Sequence, residues 1–383
     1  MFNFNYYNPV KILLGEGNIS NIAKEIPQNA NVLITYGGGS IKRNGVYDEV
    51  IEALKDHKYE EFGGIEANPQ FSTLMKAVEI VRTKNIDFLL AVGGGSVLDG
   101  TKFIAAAAPF EGNEWDICKK RIPITNAVSL GAILTIPATG SEMNSGGVVS
   151  RKETKEKLVF GGPVLFPKFS VLDPKATRTL PKIQRANGVV DAYVHIMEQY
   201  ATYDANAPVQ TEMAEGLLRT LISIGERYVE NPDDMDTASN LIWTATMALN
   251  GLIGTGVPHD WSTHMIGHEL TALHGIDHAQ TLAIVMSGVL KEMMEGKKEK
   301  LLMYATNVWR ITEGSDEEKI HTALEKTDEF FESLGIKTRL SDYDVDKASI
   351  DIIANRFKER NIILGERKDI TPEKITTILN GRW

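Results

Sequence analysis

Four residues in this chain have the types and the spacing that could bind a metal ion. Asp191 and His195 are four residues apart in a helical stretch, so their side chains share one helix face, one turn apart. His264 and His278 belong to a later segment and offer two further imidazole nitrogens. One carboxylate and three imidazoles without sulfur suit Fe(II) or Zn(II), with Ni(II) or Co(II) also possible, and leave a position for a substrate oxygen. The pattern predicts a catalytic metal site, although Asp/His pairs with this spacing also arise by chance.

Two glycine-rich turns carry a second kind of chemistry. Gly93-Gly94-Gly95-Ser96 and Gly37-Gly38-Gly39-Ser40 each follow a β-rich run and precede a helical one. Glycine lets a backbone approach a pyrophosphate closely, and the N–H groups of a helix N-terminus attract its charge. Ser96 is expected to cap the helix that follows Gly93-Gly94-Gly95, with Asp99 completing a capping box. Neither turn has the G-x-G-x-x-G pattern, and three glycines can form a simple tight turn. The presence of two such turns nevertheless favours a dinucleotide-binding site.

Length and charge exclude several classes of protein. A chain of 383 residues predicts two domains. The net charge of −10 argues against nucleic acid and anionic membrane surfaces as partners. The lone Cys118 excludes an internal disulfide. Because neither a signal peptide nor an apolar run long enough to span a bilayer is visible, we expect a cytoplasmic soluble protein that acts on a small molecule.

The secondary-structure pattern changes near residue 180. Before it, strands and helices alternate, which predicts an α/β domain over residues 1–180 with a mostly parallel sheet. After it, amphipathic helical segments predict an all-helical domain over residues 181–383. We expect strands at 10–14, 31–36, 87–92, 132–136 and 170–172, and a hairpin over 148–160. The glycine turns fall in the first domain and the metal ligands in the second, so a cleft between the domains is the expected active site.

Several motifs together resemble one enzyme family. They are Gly93-Gly-Gly-Ser-Val-Leu-Asp99, Pro137-Ala-Thr-Gly-Ser-Glu142, Val171-Leu-Asp-Pro174, residues 187–200, and His264 to His278. Their order and spacing resemble the iron-containing (group III) alcohol dehydrogenases, and more closely the NADP-dependent butanol dehydrogenase-like branch. The resemblance implies a Rossmann-like dinucleotide-binding domain, an all-α C-terminal domain and a dehydroquinate synthase-like architecture. It also implies a homodimeric NAD(P)H-linked alcohol dehydrogenase or aldehyde reductase, acting on primary alcohols and aldehydes such as butanal with a metal-polarised substrate oxygen.

The resemblance also assigns individual residues. By this carry-over Asp191, His195, His264 and His278 are the metal ligands, and His268 lies near the nicotinamide as a proton relay or as part of the pocket wall. Asp277 either orients His278 or caps a helix, and His274 is expected at the surface or behind the ligands. The implied cofactor-binding positions are Gly37, Gly38, Gly39, Ser40, Asn68, Gly94, Gly95, Ser96, Asp99, Thr135, Thr139, Asn144 and Lys157.

The choice of cofactor follows from the first glycine turn. NAD sites usually place an acidic residue after the second strand, whereas this chain has Gly37–Ser40 there, with Lys42 and Arg43 close behind. NADP(H) is therefore expected to be preferred over NAD(H), although both cations could simply be solvated. Alternative functions are a glycerol dehydrogenase-like polyol oxidoreductase, a metal-dependent hydrolase and a nucleotide-binding regulator.

Overall fold

The structure, a computed structural model, describes residues 1–383 and forms two compact units. The strands are β1 (Lys11–Leu14), β2 (Asn31–Tyr36), β3 (Lys58–Phe62), β4 (Phe88–Gly94), β5 (Ser129–Ile136), β6 (Gly146–Arg151), β7 (Glu156–Gly161) and β8 (Phe169–Leu172). The first helices are α1 (Val46–Ala53), α2 (Phe71–Thr83), α3 (Gly95–Ala107) and α4 (Asp116–Lys119). The later helices are α5 (Lys182–Tyr200), α6 (Pro208–Glu230), α7 (Met235–Ala248), α8 (Ser262–His274), α9 (His278–Glu292), α10 (Met294–Met303), α11 (Asp316–Ser333), α12 (Ser349–Glu359) and α13 (Pro372–Asn380).

The α/β unit comprises Tyr7–Leu180 and Pro232–Thr246 and is built on a parallel sheet. Six strands pair in the order β1-β8-β5-β4-β2-β3, and β6 and β7 form a separate antiparallel hairpin. Successive side chains of a strand point to opposite faces. Leu33 and Leu89 therefore join the core under α2 and α3, whereas Val32 and Leu90 join the core under α1. Because both faces are covered, the central strands β2, β4 and β5 are buried along most of their length, as in doubly wound folds.

Most of the predicted elements of this unit are present. The expected strands and the hairpin are all found, with ends that differ by up to three residues. The edge strand β3 escaped prediction because its sequence, Lys-Tyr-Glu-Glu-Phe, is largely polar and exposed. Apolar residues recur at helical spacing over 41–57, but the α-helix found there is only α1, because Gly45 takes a left-handed φ of 87° immediately before it.

The helical unit comprises Met1–Tyr6, Pro181–Asn231 and Met247–Trp383. One of its cores is formed by apolar side chains from α8, α9, α12 and α13, among them Ile266, Ile284, Ile353 and Ile378. The helical segments predicted after residue 181 are present, and α13 is an additional helix that begins at Pro372 after the capping residue Thr371. None of the helices is long and apolar enough to cross a membrane.

The compact units divide the chain less simply than a single boundary at residue 180. Most of α7 lies in the α/β unit, because Ile242 is buried in the core beneath α3. Thr246, also on α7, donates a hydrogen bond of 2.5 Å to the buried carboxylate of Glu142. An amphipathic helix in a helical stretch gives no sequence signal of which core it joins, and the predicted domain 181–383 therefore included it.

Candidate metal centre and cofactor-binding turns

The structure brings the four predicted ligands together within the helical unit. The Nε2 atoms of His195, His264 and His278 lie 3.5, 3.8 and 3.8 Å from Oδ1 of Asp191. Metal–ligand bonds of about 2.0–2.2 Å in a tetrahedron would separate neighbouring ligand atoms by about 3.4 Å. The observed separations from Asp191 are close to this value. The ligand atoms of Asp191, His195 and His264 all lie within 4.8 Å of one another, as a cation site requires, and His278 adjoins this group through its contact with Asp191.

Three helices supply these side chains. Asp191 and His195 are buried on successive turns of α5, which follows Pro181. His264 is in the first turn of α8, and His278 is the first residue of α9. Gly275 ends α8 with a left-handed φ of 70°, which lets the chain turn sharply toward α9. The site therefore depends on one long helix and two helix N-terminal turns.

The electrostatics of the cluster suit a cation. Asp191 Oδ1 and His264 Nε2 are buried and make no hydrogen bond, an arrangement that is costly unless another group satisfies them. Burial raises the pKa of Asp191, but the surrounding imidazoles of His195, His264 and His278 outweigh it and lower that pKa below its ordinary value. An ionised, buried carboxylate oxygen facing three imidazoles fits a divalent metal ion.

Of the other polar residues predicted for this region, one borders the cluster and two lie at helix ends. The ring centroid of His268 lies 5.2 Å from that of His278 and 6.2 Å from that of His264, so His268 borders the cluster. His274 is exposed at the end of α8. Asp277 occupies the position before α9, and its Oδ2 accepts a hydrogen bond of 3.3 Å from Asn187.

Glu198 is a functional candidate that the sequence argument missed. It is buried on α5, and its carboxylate accepts hydrogen bonds from Nδ1 of His264 and from the backbone N–H of Thr263. Burial lowers the pKa of His264, but the Glu198 and Asp191 carboxylates outweigh it and raise that pKa to about 9. The signal was available, because Glu198 follows Asp191 by seven residues, which is two helical turns on the same face.

The two glycine turns are neighbours in the α/β unit. β2 and β4 are adjacent parallel strands, with Tyr36 opposite Val92 in the register, so the turns that follow them lie side by side at the carboxyl edge of the sheet. A Cβ added to Gly38 would meet no atom within 4 Å, whereas one added to Gly95 would lie 2.3 Å from Thr139 Oγ1. Packing against Thr139 therefore requires a glycine at position 95, whereas Gly38 leaves space beside the exposed Ser40.

The capping box expected at the second turn is wrong. Helix α3 begins at Gly95 after an N-cap at Gly94, and no side chain caps it. The hydroxyl of Ser96 donates to the carbonyl of Ala67 instead. Asp99 accepts hydrogen bonds from Ser141 Oγ at 2.7 Å and from the backbone N–H of Val148 at 3.0 Å. Tertiary contacts with the loop after β5 use the side chain that the sequence assigned to the cap.

The remaining predicted cofactor residues lie in β5, in the loop after it and in the hairpin, except Asn68, which precedes α2. Lys157 donates a hydrogen bond of 3.1 Å to Asn68, and Thr139 Oγ1 accepts one of 3.3 Å from the N–H of Ser141. Thr135 is buried near the end of β5. Lys102, which the sequence argument did not single out, is fully buried and donates 2.9 Å hydrogen bonds to Ser141, Asn144 and Gly146.

Comparisons with known proteins agree with this geometry. Residues 9–174 match the family "Iron-containing alcohol dehydrogenase", and residues 185–383 match "Fe-containing alcohol dehydrogenase family, C-terminal". The chain belongs to the iron-containing alcohol dehydrogenase family. It is 53% identical over 375 residues to the NADPH-dependent aldehyde reductase YqhD of Escherichia coli, covering 97% of each chain. It is 41% identical over 386 residues to the probable NADH-dependent butanol dehydrogenase 1 of Bacillus subtilis, covering 100% of both.

The fold comparison gives the same result. The crystal structure of E. coli YqhD matches with a TM-score of 0.98 at 51% identity, covering 100% of this chain and 99% of that one. Membership makes this protein an oxidoreductase that interconverts alcohols and aldehydes with NAD(P)H and a metal ion. The predicted family, fold class and enzyme type are confirmed, and the hydrolase and regulator alternatives are wrong.

Proposed function

We propose that this enzyme reduces short-chain aldehydes such as butanal, and oxidises the corresponding primary alcohols, with NADP(H) preferred over NAD(H) and Fe(II) or Zn(II) as its metal. The observation that carries the proposal is the convergence of three imidazole nitrogens on one buried Asp191 oxygen. When bound, the metal would polarise the substrate oxygen and the nicotinamide would carry the hydride. Asp191, His195, His264 and His278 are proposed as the metal ligands.

The roles of the protein groups follow from their positions. The buried Asp191 carboxylate supplies a negative charge, and the imidazoles supply neutral nitrogen donors, so a net positive charge would remain to attract an oxygen. His268 is half-buried beside His278, and we assign it the exchange of a proton with the substrate oxygen.

The cofactor preference rests on the turn after β2. Ser40 is exposed beside Gly38 and offers a hydroxyl and a free backbone surface to a 2′-phosphate. Lys42 follows it, with its ammonium 3.1 Å from Glu61 and over the rings of Tyr36 and Tyr47. These contacts hold the cation in one place, and Glu61 is a nearby carboxylate that local sequence reading did not reveal. The relatives include both NADPH- and NADH-dependent enzymes, so the turn has to be tested directly.

Kinetics with butanal and each cofactor test the proposal. We expect a higher kcat/KM with NADPH than with NADH, and expect Lys42→Met to lower the NADPH value by about tenfold, which corresponds to about 1.4 kcal/mol. The same substitution should leave the NADH value unchanged, because NADH has no 2′-phosphate. A higher kcat/KM with NADH in the parent enzyme would contradict the cofactor preference. Faster turnover of glycerol than of butanol would favour the polyol alternative.

A further inference from the structure

Glu198 connects α5 to the start of α8 through both of its carboxylate oxygens. Oε1 accepts the backbone N–H of Thr263 at 2.6 Å and that of His264 at 3.3 Å. Oε2 accepts from Nδ1 of His264. Only 5% of Glu198 is exposed, so water cannot replace these partners.

The first pair of hydrogen bonds acts as a helix cap. The first backbone N–H groups of a helix have no partner within the helix, and Trp261, at the N-cap of α8, supplies no side-chain hydrogen bond. The Glu198 carboxylate takes over this role from another helix, and its charge is favourable at the positive end of the α8 dipole. These contacts fix where α8 begins relative to Asp191 and His195 on α5.

The remaining hydrogen bond determines the chemistry of the imidazole. A neutral imidazole carries its hydrogen on one nitrogen and a lone pair on the other. An ionised carboxylate accepts hydrogen bonds and cannot donate them. Glu198 Oε2 therefore holds the hydrogen of His264 on Nδ1. The lone pair then lies on Nε2, the atom that is 3.8 Å from Asp191 Oδ1.

We propose that Glu198 is a positioning residue for the metal site, which fixes the ring orientation and the tautomer of His264. The inference rests on the proposed metal ligands and adds a carboxylate that does not itself face the cluster. Carboxylates that accept from the second nitrogen of a ligating histidine raise its affinity for metal, and their loss typically costs 10–100-fold in affinity. A purely structural anchor would need only the backbone hydrogen bonds from Thr263 and His264.

Glu198→Gln is the decisive substitution because it keeps the shape and removes the charge. The glutamine amide has one accepting oxygen and one donating NH2 group in place of the two accepting oxygens of the carboxylate. Either its NH2 group faces Nδ1 and forces the hydrogen of His264 onto Nε2, or it faces the N–H groups of Thr263 and His264. The first arrangement removes the lone pair from the nitrogen that would bind the metal, and the second leaves donors facing donors. We expect the Zn(II) dissociation constant of the apo-enzyme, measured by chelator competition, to rise roughly 10–100-fold.

Glu215→Gln is the matched control. Glu215 is another buried glutamate of the helical unit, and it accepts a hydrogen bond of 2.9 Å from Tyr200 without contacting a metal ligand. This variant should bind Zn(II) as the parent does, whatever its thermal stability. The visible spectrum of the Co(II)-loaded protein is the second readout: it should change in Glu198→Gln and stay the same in Glu215→Gln.

The outcomes separate this inference from the proposed function. If His264→Ala binds Zn(II) as tightly as the parent, the metal site itself is wrong. If His264→Ala loses Zn(II) but Glu198→Gln keeps the parental affinity and Co(II) spectrum, only the role of Glu198 is wrong. Should Glu198→Gln fail to fold, Glu198→Asp replaces it, because its shorter side chain cannot keep all three hydrogen bonds. Parental affinity in that variant would equally overturn the inference.

Discussion

The Asp191 carboxylate is the group on which the proposed chemistry depends most. It is 3% exposed, and it lies close to three imidazoles. A buried carboxylate without a compensating positive charge is unfavourable. A divalent ion at this place would satisfy Asp191 Oδ1 and His264 Nε2 together, which no neighbouring protein donor does.

At the cofactor turns, one glycine substitution should affect cofactor binding and another should affect stability. Gly38→Ala adds a methyl group to open space at an ordinary φ, so the melting temperature should not change. If the turn holds the cofactor phosphate, the KM for NADPH should rise by about tenfold, or about 1.4 kcal/mol. Gly95→Ala should instead cost about 1–3 kcal/mol of stability, because its Cβ would overlap Thr139. A parental KM in Gly38→Ala would remove this glycine from the cofactor site.

Sequence spacing could predict some of these residues and not others. The i,i+4 relation is enough to place Asp191 and His195 on one face of a helix. His264 and His278 lie on different helices, and only the resemblance to a family connected them to the first pair. Glu198 could have been found from its spacing. Glu61 could not, because its proximity to Lys42 depends on the pairing of β3 with β2.

At the scale of elements, the sheet order decides the candidate cofactor site. β2 and β4 are neighbours although β3 lies between them in sequence, and α1 and α2 cover opposite faces. Ligands in such sheets bind at the carboxyl ends of strands where the connections diverge. The alternation of strands and helices predicted the class of fold. The neighbours of each strand had to come from the structure, because the apolar strands have similar sequences.

The position of α7 can be tested through its contact with Glu142. Thr246→Val removes the hydroxyl that donates to this buried carboxylate, and leaving a buried acceptor unsatisfied costs about 1–3 kcal/mol. Urea unfolding should show this loss. Thr244→Val is the control, since the Thr244 hydroxyl donates only to the carbonyl of Asn240 on the same helix.

The loss of stability should also depend on pH. Burial raises the pKa of Glu142 above its ordinary value, and the Thr246 hydrogen bond lowers it part of the way back. A raised folded-state pKa means that the ionised form is disfavoured, so stability falls as the pH rises through the folded-state value. The difference between Thr246→Val and the parent should therefore be largest when Glu142 is ionised and should shrink as the pH falls. A difference that grows toward low pH would contradict this assignment.

At the scale of the whole molecule, the homodimer predicted from the resemblance remains a prediction, as do the cytoplasmic location and the absence of nucleic-acid partners. The N-terminal segment carries four exposed aromatic side chains, Phe2, Phe4, Tyr6 and Tyr7, with Tyr7 71% exposed. Large exposed apolar groups close together are typical of interaction surfaces. Light scattering on the purified protein should give twice the chain mass of 42.3 kDa. A single-chain mass would contradict the dimer.

The central claim is that His264 binds the metal while His268, one turn further along α8, acts on the substrate. Metal content and butanal reduction measured side by side for His264→Ala and His268→Ala test it most directly. We predict that His264→Ala retains no metal after gel filtration and has no activity, because three remaining ligands hold a labile ion poorly. We predict that His268→Ala retains the parental metal content and turns over about 10²–10⁴-fold more slowly, the usual contribution of a general acid or base. Loss of metal from His268→Ala as complete as that from His264→Ala would contradict the assignment of the ligands.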